Sequence, residues 1–258
     1  MNLLGVGNSF SDDSFEWLYP ILKELGVEAS INNLYIGGCS IDTHMQMIET
    51  QYNGYDYRMD ISNPEKHGGV NSVKIQEVLP LKEWNVLTFQ QCSGYSGVYE
   101  TYKKLLNLID YVKKNTKGNA KCFWNMTWAY KKTFKSDAYL EYYNENQATM
   151  YESILKCTKK IVQEYAGVLE VVPTGTAIQN ARTSEVGDNV TRDGFHLSFD
   201  FGRYIAALTW AIKLTGKDVS NLAFAPDGVD EFRKRIAIRS AQAAVEKPFE
   251  ITQITGKE

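Results

Sequence analysis

Five short apolar runs, at residues 2–7, 29–36, 86–90, 120–126 and 168–172, alternate along the chain with stretches of helical periodicity. The first run ends in glycine and reads as a buried strand; the others follow it as strands two to five. Helices are expected at 15–25, 41–52, 98–115, 138–165, 174–181, 199–215 and 229–246. Strand–helix alternation of this kind specifies a parallel sheet covered on both faces. No linker, repeat or low-complexity stretch interrupts it, so residues 1–258 read as one α/β domain, with a C-terminal helix and tail at 226–258. Residues 53–72 are rich in Gly, Asn and Tyr and read as a surface excursion. It is expected to form a hairpin, with its turn near Asn63-Pro64 or Gly68-Gly69. Five parallel strands in flavodoxin-like order would put functional residues at the C-terminal ends of the strands.

Those ends are polar or small: Gly7-Asn8-Ser9-Phe10-Ser11, Gly37-Gly38-Cys39-Ser40 and Gln90-Gln91-Cys92-Ser93-Gly94. Near the end of the chain stands Asp193-Gly194-Phe195-His196-Leu197-Ser198. Ser, His and Asp are the residue types of acyl transfer. A serine hydroxyl is a weak nucleophile and needs a base. Histidine is the usual base because it titrates near neutrality, and a carboxylate fixes its tautomer and steadies its cation. Of the 3 histidines, only His196 has a carboxylate three residues before it, at Asp193. Ser11 or Asp12 is expected to cap the first helix. The segment from Gly5 to Phe10 begins like a dinucleotide fingerprint, but Phe10 stands where the third glycine belongs. Ser153 and Lys156 match S-x-x-K only by chance, in mid-helix.

Composition excludes other classes. With 28 basic and 31 acidic residues, the net charge of −3 lacks the basic footprint of a nucleic-acid-binding protein. No apolar run reaches the roughly 18 residues of a membrane span. The first residues lack the charged region of a signal peptide, so a cytoplasmic location is expected, or a secreted or periplasmic one if a leader has been removed. Cys39, Cys92, Cys122 and Cys157 form no C-x-x-C pair and read as reduced, packed thiols. Cys39 and Cys92 each follow a strand end and are expected near Ser9, where oxidation would be a sharper but less favoured role.

The Gly7-to-Asp12 segment after the first strand, together with Asp193-x-x-His196, resembles the SGNH (GDSL-like) hydrolases. More narrowly, Gly7-Asn8-Ser9-Phe10-Ser11, Trp84 to Gln91 and Thr127 to Tyr130 resemble a bacterial branch of that superfamily. The resemblance implies a three-layer α/β/α flavodoxin-like sandwich with a five-stranded parallel sheet, and ester hydrolysis through an acyl-serine. Carried over, Ser9 is the nucleophile, His196 the base and Asp193 its orienting partner. The oxyanion hole would use Ser9, Gly38 (with Gly37 close behind) and a third donor. The family's usual asparagine is missing there. Gln91, or else Gln90, stands in its place. No metal or organic cofactor is implied.

Tyr95, Tyr99, Trp124, Trp128 and Tyr130 fall at or beyond strand ends three and four. With Asn8 they are expected to line a substrate rim. An aromatic rim beside an acyl-serine suits an acylated carbohydrate or small ester, with O-deacetylation as the simplest reaction. A lipid esterase or thioesterase, or a non-catalytic binding module, is the alternative. The excursion, with Tyr55, Tyr57 and Arg58, is expected to roof the site.

Overall fold

The computed structural model describes residues 1–256. The chain runs β1 (Asn2–Gly7), α1 (Ser9–Phe15), α2 (Leu18–Glu24), β2 (Ser30–Tyr35), α3 (Ile41–Thr50), β3 (Tyr55–Met59), β4 (Gly68–Val73) and α4 (Ile75–Val78). It continues through β5 (Val86–Phe89), a 3-10 turn at Tyr99–Tyr102, α5 (Leu105–Asn115), β6 (Lys121–Asn125), α6 (Asp137–Tyr143) and α7 (Gln147–Glu164). It ends with β7 (Leu169–Val172), α8 (Thr174–Arg182), α9 (Phe201–Thr215) and α10 (Glu231–Glu246). Among the described residues no helix is long and apolar enough to cross a membrane.

The strands form one sheet in the order β4-β3-β2-β1-β5-β6-β7. The five expected strands are all parallel, with β1 at the centre: Leu4 pairs with Asn32 on one side and Leu87 on the other. Their order is flavodoxin-like, as expected. The step from β1 to β2 crosses the sheet in one direction, and the later steps cross it in the other. Right-handed crossovers therefore put α1 and α2 on one face and α3, α5 and α7 on the opposite face. α9 packs against α1, α2, α8 and α10, which completes the first layer. Phe15 of α1 meets the Trp210 ring of α9 edge-on at 5.4 Å, and both are fully buried. Burial of such a ring contributes about 1.5–3 kcal/mol.

The sheet has seven strands rather than five. The excursion is a hairpin, as expected, but it adds two strands to the sheet edge, β3 antiparallel to β2 and β4 antiparallel to β3. β4 carries no apolar run because most of it faces solvent, so hydropathy could not mark it. Tyr55 and Tyr57 do not roof a site. Both are core residues, Tyr57 donating its hydroxyl to Asn32 Oδ1 at 3.2 Å.

Two expected helices are each divided. The first begins at Ser9, not Phe15, and its cap is Asn8 rather than Ser11 or Asp12: Asn8 Oδ1 accepts the Phe10 N–H at 2.9 Å. The helix expected at 138–165 breaks between α6 and α7, where Asn144 and Glu145 adopt φ of 56° and 51°. Asn146 then caps α7 through the Thr149 N–H. Apolar residues keep facing the core across this break, so periodicity alone runs straight through it.

Candidate active site

Ser9 sits where β1 turns into α1, and the turn is held from both neighbouring strands. Asn8 is buried. Its Nδ2 donates to the Cys39 carbonyl beyond β2 at 3.0 Å, and its Oδ1 accepts from Gln90 Nε2 beyond β5 at 2.6 Å. Gln90 Oε1 in turn accepts from Ser11 Oγ and Asn125 Nδ2, each at 3.0 Å. Asn125 Oδ1 accepts from Thr174 Oγ1 at 2.8 Å. A buried amide ladder thus runs beneath the strand ends. Its members satisfy one another, which holds the turn from β1 into α1 in place at low local dielectric.

The loop after α8 brings in Asp193 and His196. Asp193 Oδ1 accepts the N–H groups of Phe195 at 3.1 Å and His196 at 2.7 Å. Its Oδ2 lies 2.6 Å from His196 Nδ1, and His196 Nε2 lies 2.9 Å from Ser9 Oγ. Asp193 therefore forms the turn and orients the ring at once. Partial burial raises its pKa, but the hydrogen bonds from the His196 ring and the two backbone N–H groups outweigh that and hold the carboxyl below its ordinary value. Gly194 makes this loop possible: its φ is +101°, and a Cβ there would lie 2.5 Å from the Phe134 ring. Trp128 stacks on Phe10 at 4.2 Å and donates its Nε1–H to the Phe195 carbonyl at 2.7 Å, bracing the loop from below.

A second tie joins the two elements. Asp13 has no exposed side-chain surface. Its Oδ2 accepts the Leu197 N–H at 2.8 Å, and its Oδ1 meets Arg192 Nη1 at 3.0 Å and Arg203 Nε at 2.8 Å. The sequence pattern does not announce this role, since Asp13 stands in a polar stretch whose neighbours Ser11 and Asp12 are expected as caps. Asp13 stands four residues after Ser9, the spacing that shares a helix face, and that was the available signal.

A cavity of about 500 Å³ opens at Ser9 and His196. Asn8, Phe10, Asp12, Asp13, Tyr35, Gly37, Gly38, Arg58, Ser93, Arg192, Phe195 and Arg203 line it as well. Gly38 has φ of +62°, and its N–H makes no backbone hydrogen bond. Ser9 is the first residue of α1, where N–H groups lack intrahelical acceptors.

Several expected site residues are placed elsewhere. Gln91 is not brought to Ser9: its Oε1 accepts the Ile41 and Cys92 N–H groups at 3.1 and 2.8 Å, and its Nε2 donates to Thr101. Gln90 is likewise spent in the amide ladder. Of the expected aromatic rim, Trp124, Trp128 and Tyr130 are core residues. Tyr130 hydrogen-bonds Ser93 Oγ at 2.7 Å, and Tyr95 packs edge-on against Tyr142 at 5.8 Å, off the cavity. Only Asn8 of the proposed substrate contacts lines the cavity. The strand-end aromatics pack inward because helices cover both faces of the sheet there. Burial, and then each other's proximity, pushes the Cys39 thiol far up, and burial raises that of Cys92 too. Both are free thiols, Cys39 buried and Cys92 half-buried, and a raised pKa disfavours the thiolate that oxidation needs.

A family model described as "Domain of unknown function (DUF4886)" matches residues 2–244. The crystal structure of a DUF4886 family protein from Bacteroides uniformis ATCC 8492 superposes with a TM-score of 0.93. That protein is 35% identical, with 98% of each chain covered. An acetyl xylan esterase, AlAXEase, matches at a TM-score of 0.49 and 14% identity, covering 82% of this chain and 98% of that one. No curated protein sequence matches the chain.

Proposed function

The chain belongs to the DUF4886 family, and we propose that it is a serine ester hydrolase working through an acyl-serine intermediate. The observation that carries this reading is the continuous line of hydrogen-bonded groups from Asp193 through His196 to Ser9 Oγ, opening on a cavity. Ser9 Oγ attacks the ester carbonyl carbon while its proton passes to His196 Nε2. Asp193 keeps the other ring nitrogen protonated and stabilises the resulting imidazolium. The carbonyl oxygen becomes an oxyanion that takes N–H donors from Ser9 and Gly38. Collapse of the tetrahedral intermediate breaks the C–O bond, and the leaving alcohol takes the proton from His196. Water, deprotonated by the same imidazole, then attacks the acyl carbon; the bond from that carbon to Ser9 Oγ breaks, Oγ regains its proton from His196, and the carboxylic acid leaves.

The cavity wall favours a hydroxylated or otherwise polar ester over a long acyl chain. Asp12, Arg58, Arg192 and Arg203 keep exposed side-chain surface in it, and a lipid tail would have to desolvate them without offering a partner. O-deacylation of a carbohydrate or small polar ester is therefore the reaction read for this site.

The test is hydrolysis of 4-nitrophenyl acetate and 4-nitrophenyl octanoate by the wild type and Ser9→Ala. The wild type is expected to prefer acetate, and Ser9→Ala to lose at least about 10³-fold in kcat. Equal activity of the two proteins would reject Ser9 as nucleophile. A preference for octanoate would move the reading to a lipid esterase.

A further inference from the structure

The cavity wall holds three guanidinium groups against two carboxylates, in a chain that is net acidic. Two of the three are tied to the buried Asp13 and are less exposed than the third, at 24% and 14% of the side chain against 38%. Arg192 gives Nη1 to Asp13 and to the Leu197 carbonyl, and Arg203 gives Nε to Asp13 and pairs Nη1 with Glu16 at 3.3 Å. Both belong to the clamp that joins the histidine loop to α1.

Arg58 is different. It comes from β3, the first strand of the excursion, and is the only residue of β3 or β4 lining the cavity among the described residues. Its Nη1 donates to Asp12 Oδ2, and Asp12 Oδ1 is itself held by Asn33 Nδ2 at 2.9 Å. The guanidinium carbon lies 3.5 Å from the centre of the Tyr35 ring, so stacking fixes the plane of the group. Nε and Nη2 make no hydrogen bond among the described residues, and 38% of the side chain stays exposed. Arg58 is thus anchored at one nitrogen and one face, with its remaining donors unspent in the cavity that Ser9 also lines. An immobilised guanidinium fork with open donors matches a carboxylate, which it can grip through two parallel hydrogen bonds without further ordering.

We infer that Arg58 is a substrate-recognition residue that takes a carboxylate carried by the ester, making anionic esters the preferred substrates of this site. The inference rests on the ester-hydrolase reading above. The carboxylate can belong to the acyl group or to the alcohol; either satisfies the same fork.

Two matched pairs of probes separate these sources. Mono-4-nitrophenyl adipate against 4-nitrophenyl hexanoate places the charge on the acyl side. 3-Acetoxybenzoate against 3-acetoxybenzamide places it on the alcohol side. The readout is the ratio of kcat/KM within each pair, for the wild type, Arg58→Met and Arg58→Lys. A ratio cancels any general damage done by the substitution. For the wild type, one pair is expected to favour the anion by about 10-fold or more, as for a hydrogen-bonded charge. Arg58→Met should bring that ratio to near one, and Arg58→Lys should restore only part of it, since an ammonium cannot form the fork. The pair that responds identifies the side carrying the charge.

Ratios near one for both pairs in the wild type, or ratios indifferent to Arg58→Met, would overturn the inference. Calorimetric binding of 3-acetoxybenzoate and 3-acetoxybenzamide to Ser9→Ala and to Ser9→Ala/Arg58→Met supplies a readout without turnover. If the wild type hydrolyses no ester but carboxylate binding still depends on Arg58, the hydrolase reading fails and Arg58 recognition stands. If esters turn over and neither the rate ratio nor binding depends on Arg58, recognition fails and the hydrolase reading stands.

Discussion

Asp13 and Leu197 are 184 positions apart in the chain, yet the Asp13 carboxylate accepts the Leu197 N–H at 2.8 Å. Leu197 follows His196, and Asp13 lies one helical turn after Ser9. This single bond therefore sets His196 against Ser9 by way of their immediate neighbours. Arg192 and Arg203 both pair with Asp13 Oδ1, so the buried side chain has its partners in place.

Replacing Asp13 tests that tie. Asp13→Ala removes the partner of two partly buried cations and of one backbone donor, a break that costs about 3–5 kcal/mol. Asp13→Asn keeps an acceptor for Leu197 and should cost less. In both variants kcat for 4-nitrophenyl acetate should fall more than KM rises, because the group lost positions the imidazole rather than binding substrate. Urea denaturation alongside steady-state kinetics checks both parts. Loss of stability with unaltered kcat would leave Asp13 as a fold residue only.

Gln91 separates a structural amide from an oxyanion donor. Removing an oxyanion donor costs about 10²–10³-fold in kcat. The Gln91 side chain instead joins α3, the β5 end and the segment before α5. Gln91→Ala should therefore appear as a stability loss of about 1–3 kcal/mol, with kcat falling far less than 10²-fold. A loss of kcat in the oxyanion range, without unfolding, would return Gln91 to the site.

His44 makes the fold acid-sensitive. Its ring is fully buried, with Nδ1 2.9 Å from the Tyr55 hydroxyl and Nε2 unpartnered among the described residues. Burial lowers its pKa from 6.5 to about 3. The neutral ring is favoured in the folded state, while the unfolded chain takes up the proton below pH 6.5. The stability is thus fully present above 6.5 and is lost as pH falls toward 3, at up to about 1.4 kcal/mol per pH unit. His44→Gln should flatten the fall in urea midpoint between pH 6.5 and 4.5 relative to the wild type. An unchanged slope would place the acid sensitivity elsewhere.

The parallel strands, their flavodoxin-like order and the pairing of Asp193 with His196 were legible because each is written in short-range pattern. Apolar runs mark strands that are buried on both faces, and Asp-x-x-His closes a turn by its own side chain. The excursion was legible as a hairpin but not as sheet. Pairing to β2 depends on backbone hydrogen bonds that any side chain permits. The break between α6 and α7 was hidden because the apolar face continues across it.

The amino-acid sequence by itself determined the central sheet and the line from Ser9 through His196 to Asp193, since local spacing and strand-end position sufficed. Only the tertiary structure decided what surrounds them. Trp128 belongs to the core and Arg58 to the cavity because of what each packs against: Phe10 in one case, Asp12 and Tyr35 in the other. Whether an aromatic faces a ligand or a neighbour, and whether an arginine is spent or free, depends on partners far away in the chain. No spacing rule encodes those.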